Sequence, residues 1–148
     1  MSALYTSTKF LRDLFLEVPS VKTITSDTED SIDWYSNTIY PLININLISS
    51  TPLEQVHRVS FNINVFQQRD YKPSPQTERF LGDNMIDNLD ETYTIASQVL
   101  NKLRSFYNDQ EIDLISISDV QFLKKVRSKE LDGCWFNVVL EIPNKISC

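Results

Sequence analysis

The sequence of 148 residues has few of the residue types from which catalytic and metal sites are built: one histidine, two cysteines and two glycines. A phosphate-binding loop needs several glycines at fixed spacing so that backbone N–H groups face the anion, and Gly82 and Gly133 lie far apart. The single histidine, His57, and two distant cysteines do not make a zinc site or a Cys–His nucleophile. We therefore expect no enzyme activity, no metal and no cofactor.

An excess of positive charge and long apolar runs are also missing. The formal net charge is −6, with 14 basic and 20 acidic residues. A protein that grips nucleic acid concentrates lysine and arginine on one face, so specific nucleic-acid binding is not expected. No apolar stretch approaches the roughly 20 residues that span a bilayer, and the first nine residues lack the pattern of a secretory signal. We expect synthesis in a cytoplasm and no contact with a membrane.

Length and composition fit a single domain, residues 1–148. Hydrophobic residues make up 41% of the chain and charged residues 23%, values near the average for globular proteins. A chain of this length buries enough surface to fold without a disulfide. Cys134 and Cys148 are expected to be free thiols, because Pro143 ends the strand that carries Cys134 and a bridge would require the tail to fold straight back.

Two segments have the apolar spacing of amphipathic helices. The first, residues 4–18, places Leu11, Leu14, Phe15 and Val18 on one stripe and stops before Pro19. The second, residues 84–108, is about 37 Å long at 1.5 Å per residue and is predicted to pack across a sheet. A coiled coil is the alternative, although its apolar stripe lacks paired charges on either side. The members of this stripe are Ile86, Leu89, Tyr93, Ala96, Leu100, Leu103 and Tyr107.

Four further runs are predicted to form two antiparallel hairpins. Residues 43–47 and 59–65 alternate apolar and polar side chains around a turn-rich link. Residues 112–126 are predicted to pair with residues 136–142, with Asp132 and Gly133 in the turn, and residues 21–24 have the composition of a short strand. Asparagines on the outer face of the first hairpin suit contact with another subunit. The predicted fold class is α+β: an antiparallel sheet from two β-hairpins, flanked by an N-terminal helix and one long central helix.

Three segments outside these elements supply the candidate subunit contacts: a long loop at residues 67–82, the basic tip of the second hairpin and an extended C-terminal tail at residues 143–148. The loop is interpreted either as an arm that reaches a neighbouring subunit or as a mobile surface loop. The basic tip is interpreted as a solvated end, a contact with an acidic neighbour or, third, a DNA contact. The candidate interface residues are Lys124, Lys125, Arg127, Lys129, Tyr71, Pro73, Pro75, Phe80, Pro143 and Cys148.

The acidic run at residues 27–33 does not fit a calcium loop. An EF-hand loop that starts at Asp27 needs glycine at position 32 and glutamate at position 38, where the sequence has Ile32 and Thr38. We interpret the run as a solvated connector. A small enzyme with a carboxylate site at Asp27, Asp30 or Asp33 stays an alternative, and it requires a deep pocket lined by acids.

Two parts of the chain carry a resemblance to a known family. Residues 32–34 (IDW) precede residues 40–45 (YPLINI), and the chain closes with residues 131–138 (LDGCWFNV), residues 142–144 (IPN) and Cys148. The first part resembles the strand that leads into the first hairpin of the tail-terminator and tail-completion proteins of tailed bacteriophages. The second is similar to the ending of virion proteins of crAss-like and other Bacteroidetes phages. The order of the elements also resembles that family over most of the chain.

This resemblance implies a structural virion protein with no catalytic residues. The expected assembly is a homo-oligomeric ring of six or twelve copies at the phage neck or tail, as a head–tail connector or tail terminator. Its other partners would be neck, tail and portal proteins, and DNA would only pass through the channel. The alternative is a non-virion adaptor or assembly-chaperone-like domain that holds another protein.

Overall fold

A computed structural model describes residues 3–26, 40–68, 85–105, 112–126 and 131–143, and every structural statement below concerns these ranges. The described residues form an α+β fold with two helices and a mixed sheet of six strands, so the predicted α+β class is confirmed. The elements in chain order are α1 (Ala3–Phe15), β1 (Thr23–Thr25), β2 (Leu42–Pro52), β3 (Val56–Gln68), α2 (Met85–Ser105), β4 (Asp113–Ile117), β5 (Gln121–Val126) and β6 (Leu131–Pro143).

The sheet differs from the predicted pair of antiparallel hairpins. Its strand order is β1-β2-β3-β6-β4, and β5 also pairs with β6. Strand β1 runs parallel to β2, whereas all the other pairs are antiparallel. A parallel neighbour needs a crossover connection and not a tight turn, and a strand of three residues is too short for an alternating pattern to reveal its direction.

The predicted strand at residues 112–126 is divided into β4 and β5. Both parts pair with β6, and the break between them lies at residues 118–120. Ser118 bridges the break, because its N–H donates to the carbonyl oxygen of Asn137 (2.9 Å) and its Oγ accepts from the N–H of Asn137 (2.8 Å). The Ser118 hydroxyl thereby takes the place of a backbone carbonyl as the acceptor for the N–H of Asn137. The apolar pattern of the sequence does not reveal this break in the strand.

One face of the sheet carries the hydrophobic core, and both helices pack against that face. Strand residues of alternating positions, from Val59 to Val65 on β3 and from Cys134 to Ile142 on β6, are buried there. Leu11 and Phe15 of α1, with Val18 in the turn that follows, join the same cluster. The predicted stripe of the first helix therefore reaches the core, although the helix itself ends at Phe15.

Helix α2 is rotated relative to the predicted stripe. Leu89, Ala96, Leu100 and Leu103 are buried as predicted, but Ile86 and Tyr93 are exposed. Asn88, Thr92, Ile95 and Val99 take the remaining buried positions. Thr92 is tolerated in the core because its hydroxyl donates to the carbonyl oxygen of Asn88 (2.8 Å), one turn earlier in the helix. Tyr107, the last predicted member, lies outside the described residues.

A smaller apolar cluster lies on the opposite face of the sheet. Leu42, Phe66 and Leu131 are buried there, and Tyr40, Leu123 and Val126 pack against them. This cluster joins the start of β2, the end of β3, the start of β6 and the strand β5 that pairs with β6. Of the two helices that the structure describes, neither combines the length and the apolarity needed to cross a membrane.

Candidate subunit interface

The histidine and the described cysteine are too far apart to act together. His57 lies on β3 opposite Ile142, whereas Cys134 lies opposite Val65, eight residues further along β3. Eight residues of antiparallel strand span about 27 Å, which rules out a Cys–His pair built from these two residues. Within the described ranges, no three side chains of the His, Cys, Asp or Glu type are grouped closely enough to hold a metal ion.

Cys134 is a free thiol in the core, as predicted, and it is not a reactive one. Burial raises the pKa of its thiol from the ordinary 9.0 to about 12, and a hydrogen bond with Thr92 offsets only part of this rise. The Sγ atom donates to the carbonyl oxygen of Thr92 at 3.6 Å. Because the thiolate is the nucleophilic form, Cys134 has a structural role. Cys148 lies outside the described residues.

Alkylation should distinguish the folded from the unfolded state at Cys134. In a Cys148→Ser variant at pH 8, we expect iodoacetamide to modify the folded protein about a thousandfold more slowly than the denatured protein. A pKa of about 12 in place of 9.0 lowers the thiolate fraction at pH 8 by about that factor, and burial also hinders access of the reagent. Mass spectrometry over time measures both rates. Similar rates in the two states would contradict the buried position, and the Cys134→Ser variant is the control.

A buried polar cluster ties the start of α2 to the sheet. Asn88 and Asp132 are both buried, and the amide Nδ2 of Asn88 donates to Asp132 Oδ2 (3.1 Å) and to the carbonyl oxygen of Gln68 (3.2 Å). Asp132 and Gly133 lie within strand β6. The prediction that this Asp-Gly pair forms a turn is therefore wrong. A buried carboxylate is stable only with such partners, so this cluster is explained by its role in the fold. The acids at residues 27–33 lie outside the described residues.

The asparagines of the sheet form hydrogen bonds with one another on the face opposite the helices. Asn64 Nδ2 donates to Asn62 Oδ1 (2.7 Å), and Asn62 Nδ2 donates to Asn137 Oδ1 (3.0 Å). Thr25 Oγ1 donates to Asn44 Oδ1 (2.7 Å). Asn44 and Asn64 are buried, although the alternating pattern predicted that they would be open to another subunit. The bond from Asn62 joins β3 to β6 and the bond from Thr25 joins β1 to β2, so these polar groups are used within the sheet.

The outer half of β2 is an exposed strand edge without charge. Strand β3 pairs with β2 on one side over most of its length, and among the described strands only β1 pairs with the other side, at residues 42–44. All residues from 47 to 52 are exposed, including the large apolar side chains of Leu47 and Ile48. No charged residue occurs between residues 42 and 53. Natural proteins usually protect such edges with charged side chains, proline or a β-bulge. Here Pro52 and an irregularity in the pairing between Leu47 and Ser49 are the protective features.

The opposite side of the sheet offers a second exposed edge. Within the described residues, β4 and β5 pair with β6 on one side only. Ile115 on β4 and Phe122 on β5 are exposed, and the ring of Phe122 contacts that of Tyr93 edge to face, at 5.8 Å between centroids. The two edges differ in charge, because Asp113 and Asp119 are exposed beside β4.

One row of opposed residues crosses the sheet between these edges. Thr51 on β2 lies opposite Arg58 on β3, which lies opposite Glu141 on β6, which lies opposite Asp113 on β4. Arg58 Nη2 donates to Glu141 Oε2 in a salt bridge of 3.0 Å. A pair this exposed contributes at most about 1 kcal/mol to stability. Its relevance is the distribution of charge: the cation lies near the β2 edge and the acids lie near the β4 edge.

The structure describes only a few of the residues predicted from the sequence as subunit contacts. Lys124 is exposed on β5 and Lys125 belongs to the same strand, while Pro143 is half-buried at the end of β6, opposite Val56. These three residues do not form one patch, because Pro143 and β5 lie at opposite ends of β6. Outside the described residues are Tyr71, Pro73, Pro75, Phe80, Arg127, Lys129 and Cys148.

The two strand edges were missed by the sequence analysis, although one of them has a signal in the sequence. The run of twelve residues from 42 to 53 (LININLISSTPL) has no charge, although 23% of the residues in the chain are charged. The function has to be argued from three features: a core without reactive groups among the described residues, two exposed edges, and the charge row between them. No model of a known protein family matches the sequence, and no curated protein matches it.

Proposed function

We propose that this protein is a non-enzymatic structural subunit that assembles with copies of itself into a ring. The observation that carries the proposal is the exposed, uncharged outer half of β2. An exposed strand edge with apolar side chains is a template to which another chain can add a strand. Leu47 and Ile48 would be removed from water by this addition, and the unpaired backbone groups would gain partners.

The presence of a second edge at β4 favours a ring over a dimer. A closed ring requires two different patches on each subunit, which meet head to tail. The two edges lie at opposite sides of one sheet, so both can be occupied at the same time. The net charge of −6 keeps free subunits soluble, so assembly has to depend on a specific contact.

The proposed place of this ring is the neck or tail of a tailed bacteriophage. This step rests on two resemblances: that of residues 32–34 and 40–45 to tail-terminator proteins, and that of residues 131–138, 142–144 and Cys148 to crAss-like virion proteins. We propose that the sheet is arranged as in tail terminators. A ring of six or twelve copies would join portal or tail components around the DNA channel. An acidic subunit suits that position, because DNA has to pass through without binding. The loop at residues 67–82, the basic tip and the C-terminal tail remain candidates for further contacts.

An adaptor or assembly chaperone is the second candidate, and one observation favours it. Ile86 and Tyr93 on α2 and Phe122 on β5 are exposed apolar side chains away from the β2 edge, and two of them are in contact. An exposed apolar patch of this kind is typical of a surface that binds another protein. Such a protein would hold its partner without joining a final particle.

The mass of the purified protein distinguishes the two candidates. We expect native mass spectrometry and light scattering to give a closed species of six or twelve copies, and we expect fixed stoichiometry in purified particles. Assembly should depend on protein concentration, because each contact follows mass action. A protein that stays monomeric at all concentrations and is absent from particles would contradict the ring and favour the adaptor.

A further inference from the structure

We propose that neighbouring copies of this chain also meet through their helices, with the outer side of α1 from one copy against α2 and β5 of the next. This inference rests on the proposed ring and identifies one pair of surfaces within it. The two surfaces differ from each other, as a head-to-tail contact requires. The occupant of each surface is thus a second copy of this chain.

The first surface is a stripe on α1 that faces away from the core. Each residue advances an α-helix by about 100°, so residues 5, 9, 12 and 16 lie within about 60° of one another. The N–H of Leu16 donates to the carbonyl oxygen of Arg12 (3.0 Å), and the helical spacing therefore continues to Leu16. Tyr5 and Leu16 are the most exposed large apolar side chains among the described residues, at 56% and 59%. The α1 outer stripe consists of Tyr5, Lys9, Arg12 and Leu16, all of them exposed.

The second surface lies where α2 meets the edge strand β5. Ile86 and Tyr93 project from one side of α2, and the ring of Phe122 contacts that of Tyr93. Phe122 lies opposite Cys134, whose side chain is in the core, so Phe122 is on the face of the sheet that carries the helices. The α2 patch consists of Ile86, Asp90, Tyr93 and Phe122, all of them exposed.

The two surfaces face in different directions within one copy. The acids Asp13 and Glu17 lie outside the α1 outer stripe, and Glu17 forms a salt bridge with Lys102 of α2 (3.4 Å). Lys102 and Tyr93 are nine residues apart, which at about 100° per residue places them on opposite sides of α2. The α2 patch therefore faces away from α1 of the same copy, and α1 of another copy can occupy it.

The two surfaces carry opposite charge. Lys9 and Arg12 occupy the middle of the α1 outer stripe, and Asp90 occupies the middle of the α2 patch, between Ile86 and Tyr93. Within the part of the chain that the structure describes, none of these three charged side chains forms an ion pair. A contact between the surfaces buries their apolar side chains and gives the charged ones partners of opposite sign.

Acidic side chains predominate around the α2 patch. Asp87 and Glu91 are exposed near Asp90, and no lysine or arginine occurs in residues 85–93. The exposed Lys124 of β5 has the opposite sign, and the acids of α2 outnumber it. The patch as a whole therefore attracts a basic surface such as the α1 outer stripe.

A two-fold contact between like surfaces is disfavoured by the same charges. Two α1 outer stripes packed antiparallel would bring Lys9 and Arg12 of both copies together. Two α2 patches would bring both copies of Asp90 together. Because like charges across an interface are unfavourable, the charge distribution favours the head-to-tail contact.

Charge reversal at one surface, and then at both, tests the contact. We expect Arg12→Glu and Asp90→Lys each to raise the concentration needed for assembly at least about tenfold in light scattering, because each places like charges across the contact. The double variant restores opposite charges and should assemble within about threefold of the wild type. Circular dichroism checks folding. Lys9→Glu repeats the test away from the last turn of α1, where Arg12 also stabilises the helix.

Two exposed residues outside the surfaces supply controls with the same change in net charge. Lys22→Glu matches Arg12→Glu, since Lys22 lies before β1 and outside α1. Glu91→Lys matches Asp90→Lys, since Glu91 is the next residue but points to another side of α2, where it accepts a hydrogen bond from Gln67 (3.2 Å). Both controls should assemble like the wild type.

The other outcomes reject the contact in distinct ways. Single variants that assemble like the wild type, or a double variant that assembles no better than the single ones, would overturn it while the ring stands. Equal weakening by the controls would attribute the effect to net charge. Tighter assembly of a single variant would indicate a two-fold contact between like surfaces. A wild-type protein that never assembles would reject the ring and this inference together.

Discussion

Replacing Phe136 with alanine should lower the free energy of unfolding by about 3–5 kcal/mol, the range for removing a fully buried aromatic side chain. Phe136 lies in the middle of β6 opposite Ile63 of β3, and none of its surface is accessible to solvent. Strand β6 lies between β3 and the β4–β5 edge, so hydrogen bonds on both sides fix the backbone atoms around Phe136. They cannot close around the space that the ring leaves, so a cavity adds to the lost burial. Equilibrium unfolding in urea, followed by circular dichroism, measures the change.

Phe122→Ala is the matched control for this prediction. Phe122 is 51% exposed and lies on the edge strand β5, where its main described contact is the edge-to-face contact with Tyr93. Removing it should cost at most about 1.5 kcal/mol, the value of one aromatic pair. Equal losses for the two variants would mean that β6 does not form the centre of the core.

Periodicity was sufficient to predict the elements that form the core. The spacing of Leu11 and Phe15 places both residues on one side of a helix, and both are buried. The alternation from Val59 to Val65 predicts a strand with one buried face, and β3 has that face. These predictions succeed because burial of a face follows directly from the residue period of the element that carries it.

The errors occur where a contact distant in the sequence decides the structure. Tyr93 continues the apolar stripe of α2, whereas Thr92 does not belong to it. In the structure Thr92 is nevertheless buried, and its carbonyl oxygen accepts a hydrogen bond from Cys134. Tyr93 is exposed and contacts Phe122. The pair Asp132-Gly133 is a good turn signal, yet Asp132 binds Asn88 from α2 and the pair is part of β6. Neither partner is visible from the local sequence.

The candidate interface was harder to predict than the fold. Charged and proline-containing segments such as the basic tip were predicted as subunit contacts because their composition is unusual. An open strand edge is instead a property of pairing: among the described strands only β1 pairs with the outer side of β2, and it covers only residues 42–44. Which strand lies at the edge of a sheet depends on the topology of the whole domain. The sequence shows only that residues 42–53 carry no charge.

The second large effect is expected for Gly133→Ala, with a loss of about 3 kcal/mol in the free energy of unfolding, at the upper end for overpacking. A Cβ atom at this position would collide with the carbonyl oxygen of Val65 and would lie 2.9 Å from its carbonyl carbon and 3.2 Å from the Cα atom of Phe66. These are backbone atoms of the neighbouring strand β3, so no side-chain rotation relieves the collision. The strands β3 and β6 would have to separate beside Phe66, which is buried in the second apolar cluster. Urea unfolding measures the loss.

Val139→Ile is the control for Gly133→Ala, because it adds one carbon on the same strand and the same face of the sheet. Val139 is half-buried opposite Ser60, so the added methyl group can turn towards solvent, and we expect a change within about 0.5 kcal/mol. A Gly133→Ala protein as stable as the wild type would mean that β3 and β6 do not approach each other this closely. A large loss confined to Gly133→Ala would show that this glycine is required by the close contact of β3 and β6, and not by a turn.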